Sequence, residues 1–234
     1  MNTNRHPWIA ALLIFNGLLI LVPLMVLGNA INWPASLDEP ASVNLPLIVE
    51  QAGSVRLGYL VYLIYSVLFV PLGLAVVWLV AKQGRSGVLL RTASGFAVAS
   101  GVMRTIGILR WLLPMPILAN LYIDPTTDEA TRAAITVTYD MLNSFAGGLG
   151  EVIGVGFFAA LWAALVSYVM LRDGTMPRWL GVFGLVVAVL LTAGLGEIFG
   201  LDMGILLTLN VVLLHFWWWA IAAVLLLRPK FGQA

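Results

Sequence analysis

Residues 57–81 have the sequence LGYLVYLIYSVLFVPLGLAVVWLVA, which contains no acidic or basic side chain. An α-helix rises about 1.5 Å per residue, so a run of this length crosses the hydrocarbon core of a bilayer, which is about 30 Å thick. The whole chain has the same character: of its 234 residues, 61% are hydrophobic and 10% are charged, and the mean hydropathy is +0.99. A soluble domain carries about 25% charged residues. The sequence therefore predicts an integral membrane protein.

Further apolar runs lie on both sides of this one. We predict a single all-α membrane domain with six spans, at about residues 8–28, 57–81, 88–113, 149–171, 179–195 and 205–227. Residues 30–56 are predicted to form a polar loop marked by three prolines. As one helix, residues 133–171 would be roughly 60 Å long, which exceeds the thickness of a bilayer core. We therefore divide this stretch near Gly147 and Gly148 and predict an interfacial helix at about residues 127–146.

The basic residues predict the orientation, because cytoplasmic loops are enriched in lysine and arginine. If both termini are cytoplasmic, only Arg56 and Arg132 lie on the opposite side. The basic residues on the cytoplasmic side are then Arg5, Lys82, Arg85, Arg91, Arg172, Arg178, Arg228 and Lys230. We therefore expect a bacterial inner-membrane protein with its N- and C-termini in the cytoplasm.

Several chemistries are excluded by composition. The chain has no cysteine, so disulfides and thiolate metal sites are absent, and two histidines are too few for a histidine cage. We expect no metal site. The net charge of +1 is unlike that of a nucleic-acid-binding domain, which needs a concentrated basic face. Membrane lipids are the expected partners, and neither a cofactor nor an oligomeric state follows from the sequence.

A nearly repeated heptapeptide is the first candidate site. Residues 148–154 have the sequence GLGEVIG, and residues 194–200 have GLGEIFG. The two runs lie on antiparallel spans, so Glu151 and Glu197 are expected at one level, close to the outer face. They could share a proton, a cation or a cationic ligand. Alternatively, the glycines only pack helices and each glutamate marks a water boundary.

Two arginines in the third span form the second candidate. Counted along a helix from Arg91, Arg104 lies about 20 Å and Arg110 about 28 Å into the membrane. Glu151 is expected at the level of Arg110. An arginine at mid-membrane costs about 2.5–3.5 kcal/mol on insertion scales, so it normally faces a partner or a wet cavity. The arginines therefore predict either a site for an anion or headgroup, or a structural pair with Glu151 or Glu197.

Polar residues of the predicted interfacial helix suggest an approach to Glu151. Asp140, Asn143, Ser144 and Gly147 share one helical stripe with it, provided that the helix is continuous. Asn210 in the sixth span is expected at a comparable height, and Tyr59 and Tyr62 could approach the same pocket. If the helix breaks at its glycines, the alignment is accidental.

His215 precedes Phe216 and three tryptophans in the sixth span. A histidine beside aromatic rings could bind a pigment, a porphyrin or a quinone as cofactor. The alternative is that these large side chains face lipid or pack against neighbouring helices.

Three short stretches are similar to a known family. They are Leu109-Arg110-Trp111 followed by prolines, Leu149-Gly150-Glu151 with Gly154 and Leu161-Trp162, and Pro177-Arg178-Trp179-Leu180-Gly181. Together they resemble the bacterial membrane family called domain of unknown function 4386, over roughly residues 55–230. The resemblance implies a multi-helix membrane protein of bacterial origin, and the family carries no general biochemical assignment.

We therefore predict a non-enzymatic membrane protein that binds a small or amphiphilic ligand in a polar pocket near the outer leaflet. A small proton- or ion-coupled transporter is the alternative, with the two glutamates as coupling sites. A lipid-modifying membrane enzyme, with the two acids as general acid and base, is the second alternative. The predicted ligand-binding residues are Arg104, Arg110, Asn143, Glu151, Glu197 and Asn210.

Overall fold

The protein is described by a computed structural model that covers residues 6–81, 87–201 and 203–227, without the side chains of residues 204–208 and 210. These parts of the chain are helical and contain no strand. The helices are α1 Pro7–Leu19, α2 Leu21–Ile31, α3 Ala41–Glu50, α4 Ala52–Val80, α5 Gly87–Leu112, α6 Pro114–Ile123, α7 Glu129–Gly147, α8 Ala160–Asp173, α9 Arg178–Ala193 and α10 Gly204–Leu227. A π-helix, Gly148–Ala159, joins α7 to α8, and short 3-10 turns occupy Ala35–Asp38 and Gly194–Phe199.

Five helical stretches of the described chain are long and apolar enough to cross a membrane. They are Pro7–Ile31, Ala52–Val80, Gly87–Ile123, Glu129–Asp173 and Arg178–Phe199. The prediction of an all-α fold with several apolar spans is confirmed. In α10, Val211–Leu227 is a shorter apolar helix, so the count of six spans stays a prediction. Five basic residues used to predict the orientation lie outside the described residues: Arg5, Lys82, Arg85, Arg228 and Lys230.

The loop predicted over residues 30–56 is wrong, because most of this segment is helical. Helix α3 buries Ala41, Leu45 and Ile48 at helical spacing, and it packs against α6. Pro46 lies inside α3. The apolar spacing outweighed the prolines because it buries one face of the helix against the rest of the fold.

The division predicted near Gly147 and Gly148 is a change of helix type and not a break in the chain. Gly147 and Gly148 both keep right-handed helical backbone angles. Asp128 caps the start of α7, since its carboxylate accepts a hydrogen bond from the backbone N–H of Thr131 at 2.7 Å. This hydrogen bond lowers the pKa of Asp128. The predicted interfacial segment therefore continues directly into the apolar helix that follows it.

The buried apolar residues form two clusters. One contains Phe69, Trp162 and Trp217 and joins α1, α4, α5, α8, α9 and α10. The other contains Tyr59 and Trp111 and joins the six helices α2, α3, α4, α5, α6 and α7. The outer faces are apolar as well: α4 exposes Leu57, Leu60, Ile64 and Val67 at helical spacing. Apolar surface of this extent is typical of a face turned towards lipid.

Candidate functional site

The site is built on a close contact between α5 and the π-helix. A Cβ atom added to Gly107 would lie 2.8 Å from the Cα of Gly150, and one added to Gly150 would lie 3.2 Å from the Cα of Gly107. Neither side has room for a side chain, so the two backbones touch. This contact brings the arginines of α5 against the segment that carries Glu151.

Arg110 is paired with Glu151 across this contact. Its Nη2 atom lies 3.6 Å from Oε1 of Glu151, and its Nη1 atom donates to the carbonyl of Gly107 at 2.9 Å. The side chain of Arg110 is 5% exposed, and that of Glu151 is 38% exposed. Gly147 leaves space for the guanidinium, since an added Cβ would be 3.3 Å from Nη2. Of the two interpretations of the arginines, a structural pair therefore describes Arg110.

Arg104 has a different environment. It is 5% exposed, and its guanidinium lies 4.9 Å from the ring centre of Tyr65 and 5.1 Å from that of Phe69. A Cβ added to Gly154 would be 3.0 Å from the Cγ atom of Arg104, so this glycine makes room for the arginine stem. With the other described residues, the guanidinium of Arg104 forms no ion pair and no hydrogen bond. It is a buried cation held by aromatic faces alone.

A small pocket of about 20 Å³ is lined by both buried arginines. We call it the inner pocket. Several of its polar atoms are buried and have no hydrogen-bond partner in the described structure. They are the hydroxyls of Tyr59 and Ser66, the Nε1 atom of Trp33 and the Nε atom of Arg110. The residues that line it are Trp33, Leu37, Tyr59, Tyr62, Ser66, Arg104, Gly107, Ile108, Arg110, Trp111, Gly150, Glu151 and Val155.

A second, larger space of about 610 Å³ adjoins the inner pocket. We call it the outer cavity, and its walls come mainly from α1, α2 and α10 with the turn between α2 and α3. Most of the lining is apolar, and Asp38, Glu151, Glu197 and His215 are its ionisable groups. The two spaces share five lining residues, so they lie side by side. The shared residues are Trp33, Leu37, Tyr62, Glu151 and Val155.

The structure brings together most of the predicted site residues, but not all of them. Arg104, Arg110 and Glu151 line the inner pocket, and Glu151 and Glu197 line the outer cavity. The repeated heptapeptide therefore does place both glutamates at one cavity. The side chain of Asn210 lies outside the described residues.

Asn143 has a structural contact instead. Its amide donates to the carbonyl of Leu37 at 2.7 Å, which ties α7 to the turn Ala35–Asp38 over the site. Asp140 and Ser144 are exposed, so the stripe that we expected to lead towards Glu151 does not continue as a buried polar path. The helix is continuous here, but its rotation turns these two side chains outwards.

His215 lines the outer cavity and is 4% exposed. Its ring centre lies 5.5 Å from that of Tyr65 and 5.5 Å from that of Trp218. Its Nδ1 atom contacts the carbonyl of Val211. The neighbouring Trp217 is fully buried and donates to the carbonyl of Leu180 at 2.9 Å. The packing interpretation therefore describes Trp217. No group of three or more His, Asp or Glu side chains that could hold a metal occurs among the described residues.

Trp33, Leu37 and Trp219 are site residues that the sequence did not indicate. Trp33 had the features of an interfacial anchor, and Leu37 lay in the supposed loop. The apolar spacing of Ala41, Leu45 and Ile48 is the signal that could have shown this segment to be folded against the core. Trp219 was one of three adjacent tryptophans, and only the helix rotation distinguishes it from the other two.

The fold and the site have the features of a multi-pass helical membrane protein with a charged interior pocket. The chain belongs to the family described as Domain of unknown function (DUF4386), whose family model matches residues 8–227. This match covers nearly the whole chain and confirms the resemblance found in the short motifs. Comparison with curated proteins and with solved structures gives no match.

Proposed function

We propose that this protein binds an amphiphilic ligand, with the polar head in the inner pocket and the apolar part in the outer cavity. The observation that carries this proposal is that two spaces lie side by side, one lined by two arginines and a glutamate and the other lined mainly by apolar side chains. A volume of about 610 Å³ falls within the range of about 300–1,000 Å³ that is usual for ligand pockets.

The division of polarity matches the two ends of an amphiphile. Burial of an apolar chain against the walls of the outer cavity gains about 25 cal/mol per Å² removed from water. A polar head left in such a space would lose its hydrogen bonds at a cost of several kcal/mol. The inner pocket contains hydrogen-bonding groups that have no partner within the described residues, and these groups can bind the polar head. Each part of the ligand therefore has one suitable location.

The proposal includes six spans in a bacterial inner membrane, with both termini cytoplasmic. Helix α10 has 24 residues, which corresponds to about 36 Å and is long enough to cross a bilayer core. The excess of basic residues in the proposed cytoplasmic loops supports the orientation. In this arrangement the pair of Arg110 and Glu151 lies near the outer leaflet, where the ligand would enter.

An ion-coupled transporter is the second candidate, favoured by the two glutamates on one cavity. Coupling requires at least one of them to exchange a proton or cation with both sides of the membrane. Glu151 is already paired with Arg110, and this pair supports binding over transport. Flux in proteoliposomes that is lost in Glu151→Gln would favour transport instead.

Native mass spectrometry of the protein in nanodiscs tests the binding proposal. We expect the wild type to retain an amphiphile that Val212→Trp binds less well, because Val212 lines the outer cavity and a larger side chain there occupies part of it. Val182→Trp is the matched control, since Val182 is an exposed valine on α9 that does not line the cavity. No retained amphiphile in the wild type, or equal retention by Val212→Trp, would contradict the proposal.

A further inference from the structure

The inner pocket has an excess of hydrogen-bond donors. Guanidinium groups only donate, and the Nε atom of Arg110 has no partner among the described residues. The hydroxyls of Tyr59 and Ser66 are also buried without a partner there. A buried donor without an acceptor costs about 1–3 kcal/mol. These donors are therefore suited to a ligand that brings acceptors.

The charges of the inner pocket favour an anion. Arg104 and Arg110 are positive and Glu151 is negative, which leaves one net positive charge. Glu151 lies 3.6 Å from Arg110, so these two largely compensate each other. Arg104 is then the cation whose charge has no counterpart within the described residues, and its aromatic neighbours stabilise it only in part.

Two further acids face the adjoining space. Asp38 and Glu197 line the outer cavity but not the inner pocket. The charge of Asp38 disfavours an anionic group in the outer cavity and leaves the inner pocket as the place for it. The charge pattern thus defines one direction for a ligand, with its negative end towards Arg104.

The size of the inner pocket limits the head. A space of about 20 Å³ holds about one water-sized group, which needs about 10–15 Å³ by the same measure. One oxygen of a carboxylate is of this size, and the second oxygen then lies at the side that faces the outer cavity. Choline, sugar and glycerol headgroups are much larger. The apolar remainder of the ligand then continues past Tyr62 and Val155, which line both spaces.

We infer that the ligand is a single-chain amphiphile with a carboxylate head, of the fatty-acid class, whose head is bound by Arg104. This inference rests on the proposed function and specifies its ligand. The carboxylate accepts hydrogen bonds from Arg104 and from the free donors of Tyr59, Ser66 and Arg110. Its chain lies in the outer cavity.

Binding of palmitate and of its neutral counterpart hexadecanol to the wild type, in phosphatidylcholine nanodiscs, tests the head chemistry. The pH is kept high enough for the fatty acid to be ionised. We expect palmitate to bind at least about tenfold more tightly, because hydrogen bonds to charged groups contribute about 1.5–3 kcal/mol. Equal affinities would overturn the carboxylate assignment and leave the binding proposal intact. No binding of either compound would contradict both.

Substitution then tests the residue. Arg104→Gln should lose at least about tenfold in palmitate affinity with little change for hexadecanol. Arg132→Gln is the control, because Arg132 is an exposed arginine on α7. Equal palmitate affinity in Arg104→Gln and the wild type would overturn the role of Arg104. If Arg104→Gln does not fold, the comparison of palmitate with hexadecanol in the wild type still decides the head chemistry.

Acetate distinguishes a free small anion from an amphiphile. We expect acetate to compete weakly with palmitate, since it lacks the chain that occupies the outer cavity. Acetate that competes as well as palmitate would show an anion site alone and overturn the amphiphile assignment. Loss of palmitate binding in Val212→Trp, with acetate binding retained, is the result expected if head and chain occupy the two spaces.

Discussion

At the scale of single residues, the charges of the two buried arginines are stabilised by different neighbours. Arg110 has a carboxylate 3.6 Å away and a backbone carbonyl as acceptor. Arg104 has the rings of Tyr65 and Phe69. A buried charge without a counter-charge is costly. The charge of Arg110 is compensated by Glu151, and that of Arg104 has no carboxylate partner among the described residues.

The pair of Arg110 and Glu151 can be tested by a double-mutant cycle. We expect Arg110→Gln and Glu151→Gln each to lower stability, and the double variant to be less destabilised than the sum of the two. A coupling energy of about 1 kcal/mol is expected, since polar pairs within membrane proteins are worth about that much. Thermal unfolding of the four proteins in one detergent measures it. Strict additivity would show that the two side chains do not interact.

At the scale of elements, the contact of α5 with the π-helix determines the geometry of the site. Gly107 and Gly150 touch through their backbones. The short distance between α5 and the π-helix brings the side chains of Arg104 and Arg110 close to the π-helix. π-helical segments are often found at functional sites. Here the segment carries Glu151, Gly154 and Val155, all of which contact or line the inner pocket.

Substitution of glycine by alanine in α5 tests this contact. Gly107→Ala should destabilise the protein by about 1–3 kcal/mol, because the new methyl group would lie 2.8 Å from the Cα of Gly150. Gly95→Ala in the same helix is the matched control, since nothing lies within 4 Å of a Cβ added there. It should be neutral or stabilising by up to about 1 kcal/mol. Equal effects of the two changes in thermal unfolding would argue against the close contact.

At the scale of the whole molecule, the absence of cysteine allows the topology to be determined directly. Gly53→Cys and Gly87→Cys place one thiol near the start of α4 and one at the start of α5. Both sites are exposed, and an added Cβ has nothing within 4 Å at Gly53 and only a contact of 3.8 Å to Arg91 at Gly87. The two variants are therefore matched in local structure.

The proposed orientation predicts opposite labelling of these two sites in intact cells. A membrane-impermeant maleimide should label Gly53→Cys, on the outer side, and should label Gly87→Cys only after the membrane is permeabilised. The reverse labelling pattern would show that the protein has the opposite orientation in the membrane. Labelling of both without permeabilisation would show that α4 does not separate the two sides.

The all-α fold and the apolar spans were determined by the sequence alone, because uninterrupted apolar runs of more than about 20 residues have few stable alternatives to a helix that crosses a bilayer. The family could also be recognised from the sequence alone, because short motifs such as Pro177–Gly181 lie in order along the chain. The depth of a side chain in the membrane also follows from the sequence, because it is obtained by counting residues along one helix. This is why the pairing of Arg110 with Glu151 was among the expected alternatives.

Only the tertiary structure decided which side chains meet. Rotation about a helix axis depends on packing against neighbours, and it turned Asp140 outwards while Glu151 faces the site. Helix α3 was missed because three prolines dominate its local composition, although burial against α6 holds it in place. The placement of the inner pocket beside the outer cavity needs Trp33, Tyr62 and Val155 from separate elements. The spacing of residues along the chain does not specify which of these side chains come together, because the packing of whole helices determines it.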